Sequence, residues 1–171
     1  MVLNMGPILR GEINRMEISY DLTPEPISDV VFPEDAHVQG YITDDAGYMR
    51  LFLTATLPYR GTCARCLDPV EGVFTLEFER TVAAEGSITE EQLAENEDSY
   101  VMIRDGRLDV DLPLREELLL CFPMRLLCDE DCKGLCPKCG RSLKEGDCGC
   151  PTKEIDPRLA VLQKWLDKNE K

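Results

Sequence analysis

Six of the nine cysteines lie between Cys128 and Cys150, in the run CDEDCKGLCPKCGRSLKEGDCGC. The run is dense in glycine and charge, and Leu135 and Leu143 are its only large apolar side chains. Hydrophobic burial cannot order such a segment, whereas thiolate sulfur around a metal ion can. Cys132, Cys136 and Cys139 read C-x3-C-x2-C, and Cys148 and Cys150 follow as C-x-C. The text CPKCG has the form of a metal knuckle. Two cysteines grip one ion, and the glycine after the second permits a tight turn that frees backbone N–H groups toward sulfur. A structural Zn²⁺ site takes four ligands in a tetrahedron. The expected set is Cys132, Cys136, Cys139 and Cys148, with Cys128 and Cys150 in reserve.

A second pair, Cys63 and Cys66, stands in TCARCLDP. It reads as half of another metal site, for which Cys128 could supply a further ligand, as an RNA- or partner-facing loop, or as a redox pair. It also reads as two small reduced thiols that shape a turn. Arg60 and Arg65 make this the most positive spot in the first half of the chain.

Catalytic signatures are missing. The sequence holds no G-x-S-x-G, P-loop, G-x-G-x-x-G or H-E-x-x-H, and its one histidine, His37, falls in an expected strand. C-x3-C-x2-C also occurs in radical S-adenosylmethionine enzymes, but only 32 residues follow Cys139, far short of the barrel that chemistry needs. Four thiolates would close a zinc ion's coordination sphere and leave no place for an activated water. The expectation is a protein that is not an enzyme and has no small-molecule substrate.

The elements that position these cysteines are mostly strands. In Tyr48–Leu57, Met49, Leu51, Leu53, Ala55 and Leu57 alternate with Arg50, Thr54 and Thr56. In Val73–Val82, Phe74, Leu76, Phe78 and Val82 alternate with Thr75, Glu77, Glu79 and Thr81. Both runs show the period-two pattern of half-buried strands, and together they predict a hairpin with TCARCLDP in its loop. Weaker strands are expected near Glu12–Tyr20 and His37–Thr43, and two short ones at Tyr100–Ile103 and Arg107–Val110 around an Asp105-Gly106 turn. Glu85–Ser99 is acidic and poor in apolar residues, with a possible capping box at Thr89 and Gln92. Asp111 is placed to cap a helix whose stripe is Leu114, Leu118, Leu119, Cys121 and Phe122, with Cys121 in the core and Pro123 as the stop. Asp156-Pro157 opens a closing helix with Leu159, Leu162, Trp165 and Leu166 on one face. The fold expected is therefore α+β: a β-rich main domain over 1–127 with a helix near 112–122, a small zinc-binding extension over 128–150, and a C-terminal helix over 151–171 packing on the domain.

The chain has 171 residues, 43% of them hydrophobic and 30% charged, with a formal net charge of −14. That charge lies in the main domain: residues 1–127 carry 10 Lys and Arg against 24 Asp and Glu. A field of that sign repels phosphate and attracts basic partners. No apolar stretch is long enough for a membrane span, and no signal peptide is read at the N-terminus, so the expected compartment is the cytoplasm. Clustered cysteines in a reducing cytosol point to metal rather than disulfides.

Four stretches carry a resemblance: TCARCLDPV, LDVDLPLREELLLCFPM, the cysteine run itself, and EIDPRLAVLQKWL. In that order, over roughly Gly40 to Leu166, they resemble the YceD-like family of large ribosomal RNA subunit accumulation proteins, in the form with a cysteine-rich tail seen in Gram-positive and related bacteria. The resemblance implies a role in rRNA accumulation or rRNA processing during ribosome biogenesis, and no enzyme. It makes C-x-R-C-L the family's more widespread signature, here Cys63, Arg65, Cys66 and Leu67, and makes zinc an accessory to folding. Two partners fit the charge. One is the large-subunit ribosomal RNA precursor, met by Arg60, Arg65, Lys133, Lys138, Arg141, Lys144 and Arg158. The other is a basic ribosomal protein, met by the acidic face.

Overall fold

The computed structural model describes residues 1–88 and 99–151. The expected capping box at Thr89 and Gln92 and the closing helix from Asp156 lie outside the described residues. The chain divides into two compact units, Met1–Thr62 with Pro69–Leu126, and Cys63–Asp68 with Leu127–Lys171. The loop Cys63–Asp68 groups with the second of these.

The first unit is β-rich. In chain order it contains β1 (Val2–Asn4), α1 (Gly6–Leu9), β2 (Arg15–Leu22), β3 (Ala36–Asp45), β4 (Tyr48–Thr62), β5 (Pro69–Ala84), β6 (Tyr100–Ile103), β7 (Arg107–Asp109) and α2 (Asp111–Cys121). Five strands form one sheet in the order β2-β3-β4-β5-β6. The first three pairings are antiparallel, and β6 joins β5 in parallel. The alternation read in the sequence sets the register. Leu53 faces Phe78, Ala55 faces Leu76 and Leu57 faces Phe74, so the apolar residues of β4 and β5 share one face. That face is buried together with Ile18, Val38 and Ile42 from the neighbouring strands and Leu114 and Leu118 from α2. The charged alternates, Glu77 and Glu79 among them, are left to water.

The hairpin expected from the sequence is present and longer than the alternation alone indicated. Its strands remain paired out to Thr62 and Pro69, the residues that enter and leave the Cys63–Asp68 loop. Tyr59, Phe74 and Phe32 all meet Phe122 edge-on, with ring centroids 5.4, 5.2 and 5.7 Å away. This aromatic group pins the end of α2 inside the first unit.

The two short strands expected around the Asp105-Gly106 turn are present, and they join different sheets, β6 with β5 and β7 with β1. Two expectations change. The N-cap of α2 is Val110, and it is the Asp109 carboxylate that accepts the Asp111 N–H, at 3.0 Å. Cys121 is exposed, not core. Phe122, four residues after Leu118, takes the buried position, and Cys121 turns outward toward Glu117 with Sγ 3.3 Å from Oε1. Among the described residues no helix is long and apolar enough to cross a membrane.

Candidate metal centres

The two C-x-x-C segments fold into the same turn. In the first, the Leu67 N–H donates to the Cys63 carbonyl at 3.0 Å, and the Cys63 N–H donates to the Asp68 carbonyl at 2.8 Å. In the second, the Gly140 N–H donates to the Cys136 carbonyl at 2.8 Å, and the Cys136 N–H to the Arg141 carbonyl at 2.8 Å. Both turns need a left-handed residue after the second cysteine. Gly140 has φ +70° and Leu67 has φ +63°. Glycine adopts that region freely, whereas a side chain such as leucine is strained there by about 1–2 kcal/mol.

The knuckles lead into two separate groups of four sulfurs. Cys63, Cys66, Cys128 and Cys132 form one group, and Cys136, Cys139, Cys148 and Cys150 the other; within each, all sulfur atoms lie within 4.8 Å of one another. A tetrahedron with metal–sulfur bonds of about 2.3 Å has sulfur–sulfur edges of about 3.8 Å. In the first group the Cys66–Cys128 and Cys63–Cys132 sulfurs are 3.5 and 3.9 Å apart, values that bracket that edge. The donor sets therefore fit a thiolate-bound metal ion in each group.

Backbone donors prepare these sulfurs for a cation. Burial pushes the Cys63 thiol up, but the N–H groups of Cys66, Cys128 and Arg65 outweigh it and bring it down to about 6. At Cys136, the N–H groups of Cys139 and Lys138, with help from the Cys148 thiol, bring it to about 6 against burial. Knuckle amides at the second and third residues on contribute in both, and at Cys63 the Cys128 N–H joins them. Their partners go the other way. Burial and the crowd of neighbouring thiols push Cys66 up to about 12. The Cys150 thiol gives its hydrogen bonds to Cys148 and Cys139, and these, with burial, push it up to about 12. Each group thus offers a ready thiolate beside thiols that need a dication to ionise.

The surrounding contacts hold the first group in shape. The Arg65 guanidinium donates through Nη1 to the carbonyls of Glu130 (3.0 Å) and Cys132 (2.9 Å). The Leu135 N–H returns to the Arg65 carbonyl at 3.2 Å. Gly134, at φ +74°, lies so close that a Cβ there would stand 2.9 Å from the Arg65 oxygen. Lys144, in a short 3-10 turn at Leu143–Glu145, reaches Asp68 at 2.5 Å. Asp68 first, and then the Cys128 sulfur, raise its pKa.

The quartet expected from spacing is therefore divided. Cys136, Cys139 and Cys148 stand together and take the reserve Cys150 as their fourth member, whereas Cys132 joins the other reserve, Cys128, and the pair Cys63 and Cys66. Spacing along one run could not show this, because 61 residues separate Cys66 from Cys128. The signal that was available is the repeat of one small pattern, CARCLD and CPKCGR, with a cation before the second cysteine of each. Of the arginines expected to face RNA or a partner, Arg60 pairs with Glu71 at 3.1 Å on the hairpin, and Arg65 serves the Cys132 loop. His37 is exposed on β3 with Nδ1 3.0 Å from Asp21.

Fold and site together define a β-rich protein carrying two candidate four-cysteine metal centres. Residues 51–166 match the family described as large ribosomal RNA subunit accumulation protein YceD, and the chain belongs to that family. It is similar to an uncharacterized protein of Mycobacterium tuberculosis, 36% identical over 113 residues, which are 66% of this chain and 53% of that protein. An uncharacterized protein of Mycobacterium leprae is 32% identical over 113 residues, 66% and 51% of the two chains. The uncharacterized protein YlbN of Bacillus subtilis is 32% identical over 78 residues, 43% and 44% of the two. The chain spans about half the length of the curated relatives it matches. No solved structure is significantly similar.

Proposed function

We propose that the protein is a non-enzymatic cytoplasmic factor that assists accumulation and processing of large-subunit ribosomal RNA, and that each four-cysteine group holds a structural Zn²⁺. The observation that carries the ribosomal reading is the family match, whose span takes in all eight grouped cysteines. Zinc is the ion best suited to four thiolates in a tetrahedron. A centre filled by four protein sulfurs has no position for water or substrate, which supports a binding role over catalysis.

Within this reading the direct partner is a basic ribosomal protein. A surface of net charge −14 repels phosphate, and the two arginines best placed for RNA are engaged within the chain. Direct contact with the precursor RNA is the other outcome the test must allow. Depletion of the protein in its host, followed by gradient sedimentation and rRNA quantification, should lower large-subunit RNA relative to small-subunit RNA. An unchanged ratio ends the ribosomal reading. Metal analysis of the pure reduced chain should return two zinc ions.

A further inference from the structure

We infer that the second four-cysteine centre is a site of reversible oxidation by peroxide, with Cys139 as the attacking sulfur, and that the first centre is shielded from the same reaction. This rests on the reading above that each group holds Zn²⁺. The two groups have the same donors but different access. Cys63, Cys66 and Cys132 are 0%, 4% and 5% exposed, and Cys128 is half-buried beside Lys144. In the second group only Cys136 is buried; Cys148 and Cys150 are half-buried, and Cys139 is exposed. A metal-bound thiolate remains a nucleophile, and cysteine oxidation follows thiolate character and exposure.

The glycines point the same way. Gly140 follows Cys139, and Gly149 stands between Cys148 and Cys150; a Cβ at either would meet nothing within 4 Å. These sulfurs are therefore bordered by open space. At the matching place in the first knuckle stands the side chain of Leu67, and Gly134 is closed against the Arg65 carbonyl. Oxidation to a disulfide also needs a second sulfur in reach. All four sulfurs of the group lie within 4.8 Å of one another, and Cys150 is in hydrogen-bond contact with Cys139. The Cys139 thiolate attacks one oxygen of hydrogen peroxide and the O–O bond breaks, giving a sulfenic acid and hydroxide. The Cys150 thiolate then attacks that sulfur; the S–S bond forms, the S–O bond breaks and a second hydroxide leaves. Overall each sulfur gives up one electron, and the two electrons reduce the peroxide. Two of the four donors are lost, and with them the hold on the ion. A dithiol reverses the step, becoming a disulfide itself and returning both cysteines to thiols.

The test is peroxide treatment of the full zinc-loaded chain, with a chromophoric chelator reporting release and peptide mass spectrometry locating disulfides. One of the two ions should leave about tenfold faster than the other, with a Cys139–Cys150 disulfide, and a dithiol with added zinc should restore the original content. Cys139→His keeps a fourth ligand at this place but no thiol. It should hold two ions and lose the second centre's ion about tenfold more slowly than wild type. Should that variant not bind its second ion, disulfide mapping in the wild type decides alone. Release of both ions at one rate, earlier oxidation of Cys63, Cys66, Cys128 or Cys132, or a disulfide that omits Cys139 each overturns the inference and leaves the zinc reading standing. A chain that holds no ion at the second centre before peroxide is added overturns the zinc reading, and the inference with it.

Discussion

Replacing Arg65 with alanine should weaken the first metal centre and spare the second. Its guanidinium gives two hydrogen bonds, to the carbonyls of Glu130 and Cys132, and so fixes the loop that presents Cys132 to the other three sulfurs. A hydrogen bond from a charged donor contributes about 1.5–3 kcal/mol when shielded, and less when open to water. The bond to Cys132 is part-buried and the bond to Glu130 is exposed, so the pair is worth roughly 1.5–3 kcal/mol. At about 1.4 kcal/mol per decade that is a loss of roughly 10–100-fold in metal affinity, the range usual for a residue that orients a ligand from behind. The assay is zinc competition against a chromophoric chelator under reducing conditions. Wild type should hold two ions. Arg65→Ala should hold one of them as before and release the other at 10–100-fold lower chelator strength. If both affinities stay unchanged while RNA binding falls, Arg65 is an RNA contact and the positioning argument is refuted.

Cys63→Ser with Cys66→Ser should leave one zinc per chain by metal analysis, and Cys139→Ser with Cys150→Ser should do the same, since no sulfur is shared between the groups. Zinc retention should fall with acid. The Cys66 and Cys150 thiols, pushed up to about 12, must give up protons for the metal to bind, so affinity rises with pH; below about 6 the Cys63 and Cys136 thiolates protonate as well and the loss steepens. Dialysis at pH 5 and at pH 8 followed by metal analysis checks the sign. Phe122→Ala removes the ring that Phe32, Tyr59 and Phe74 all meet, and should cost about 3–5 kcal/mol in thermal or denaturant unfolding while leaving zinc content unchanged.

The parts of the fold that were legible are those where one face is buried and the other wet. Met49 to Leu57 and Phe74 to Val82 alternate because the sheet covers its core on one side only, and the hairpin follows from that alternation. The helix ending before Pro123 was legible from its apolar spacing and its stop. What the sequence could not show was set at a distance. Periodicity says that Tyr100–Ile103 is a strand but not that it joins β5 in parallel, because the choice of neighbour depends on contacts far away in sequence. The grouping of the cysteines was hidden in the same way. Local spacing identifies each knuckle, since two sulfurs two residues apart share a turn. The other two members of a group come from whatever segment topology delivers, and Cys128 with Cys132 came to Cys63 and Cys66 rather than to Cys136.

That difference in origin gives the two centres different dependence on the fold. The second draws its ligands from Cys136 to Cys150, with eight residues between the inner pair Cys139 and Cys148. The first must close the 61 residues between Cys66 and Cys128, which contain β5, β6, β7 and α2. In a flexible chain, the longer closure costs about 2 kcal/mol more. Once those elements have folded, most of that entropy is already lost and the sulfurs need only the ion. Packing lends little else, for the buried apolar side chains described in the second unit are Cys63, Cys66, Cys132 and Cys136. Metal at the second centre is therefore compatible with an otherwise unfolded chain, whereas metal at the first reports that the strands and helix between its ligands have formed.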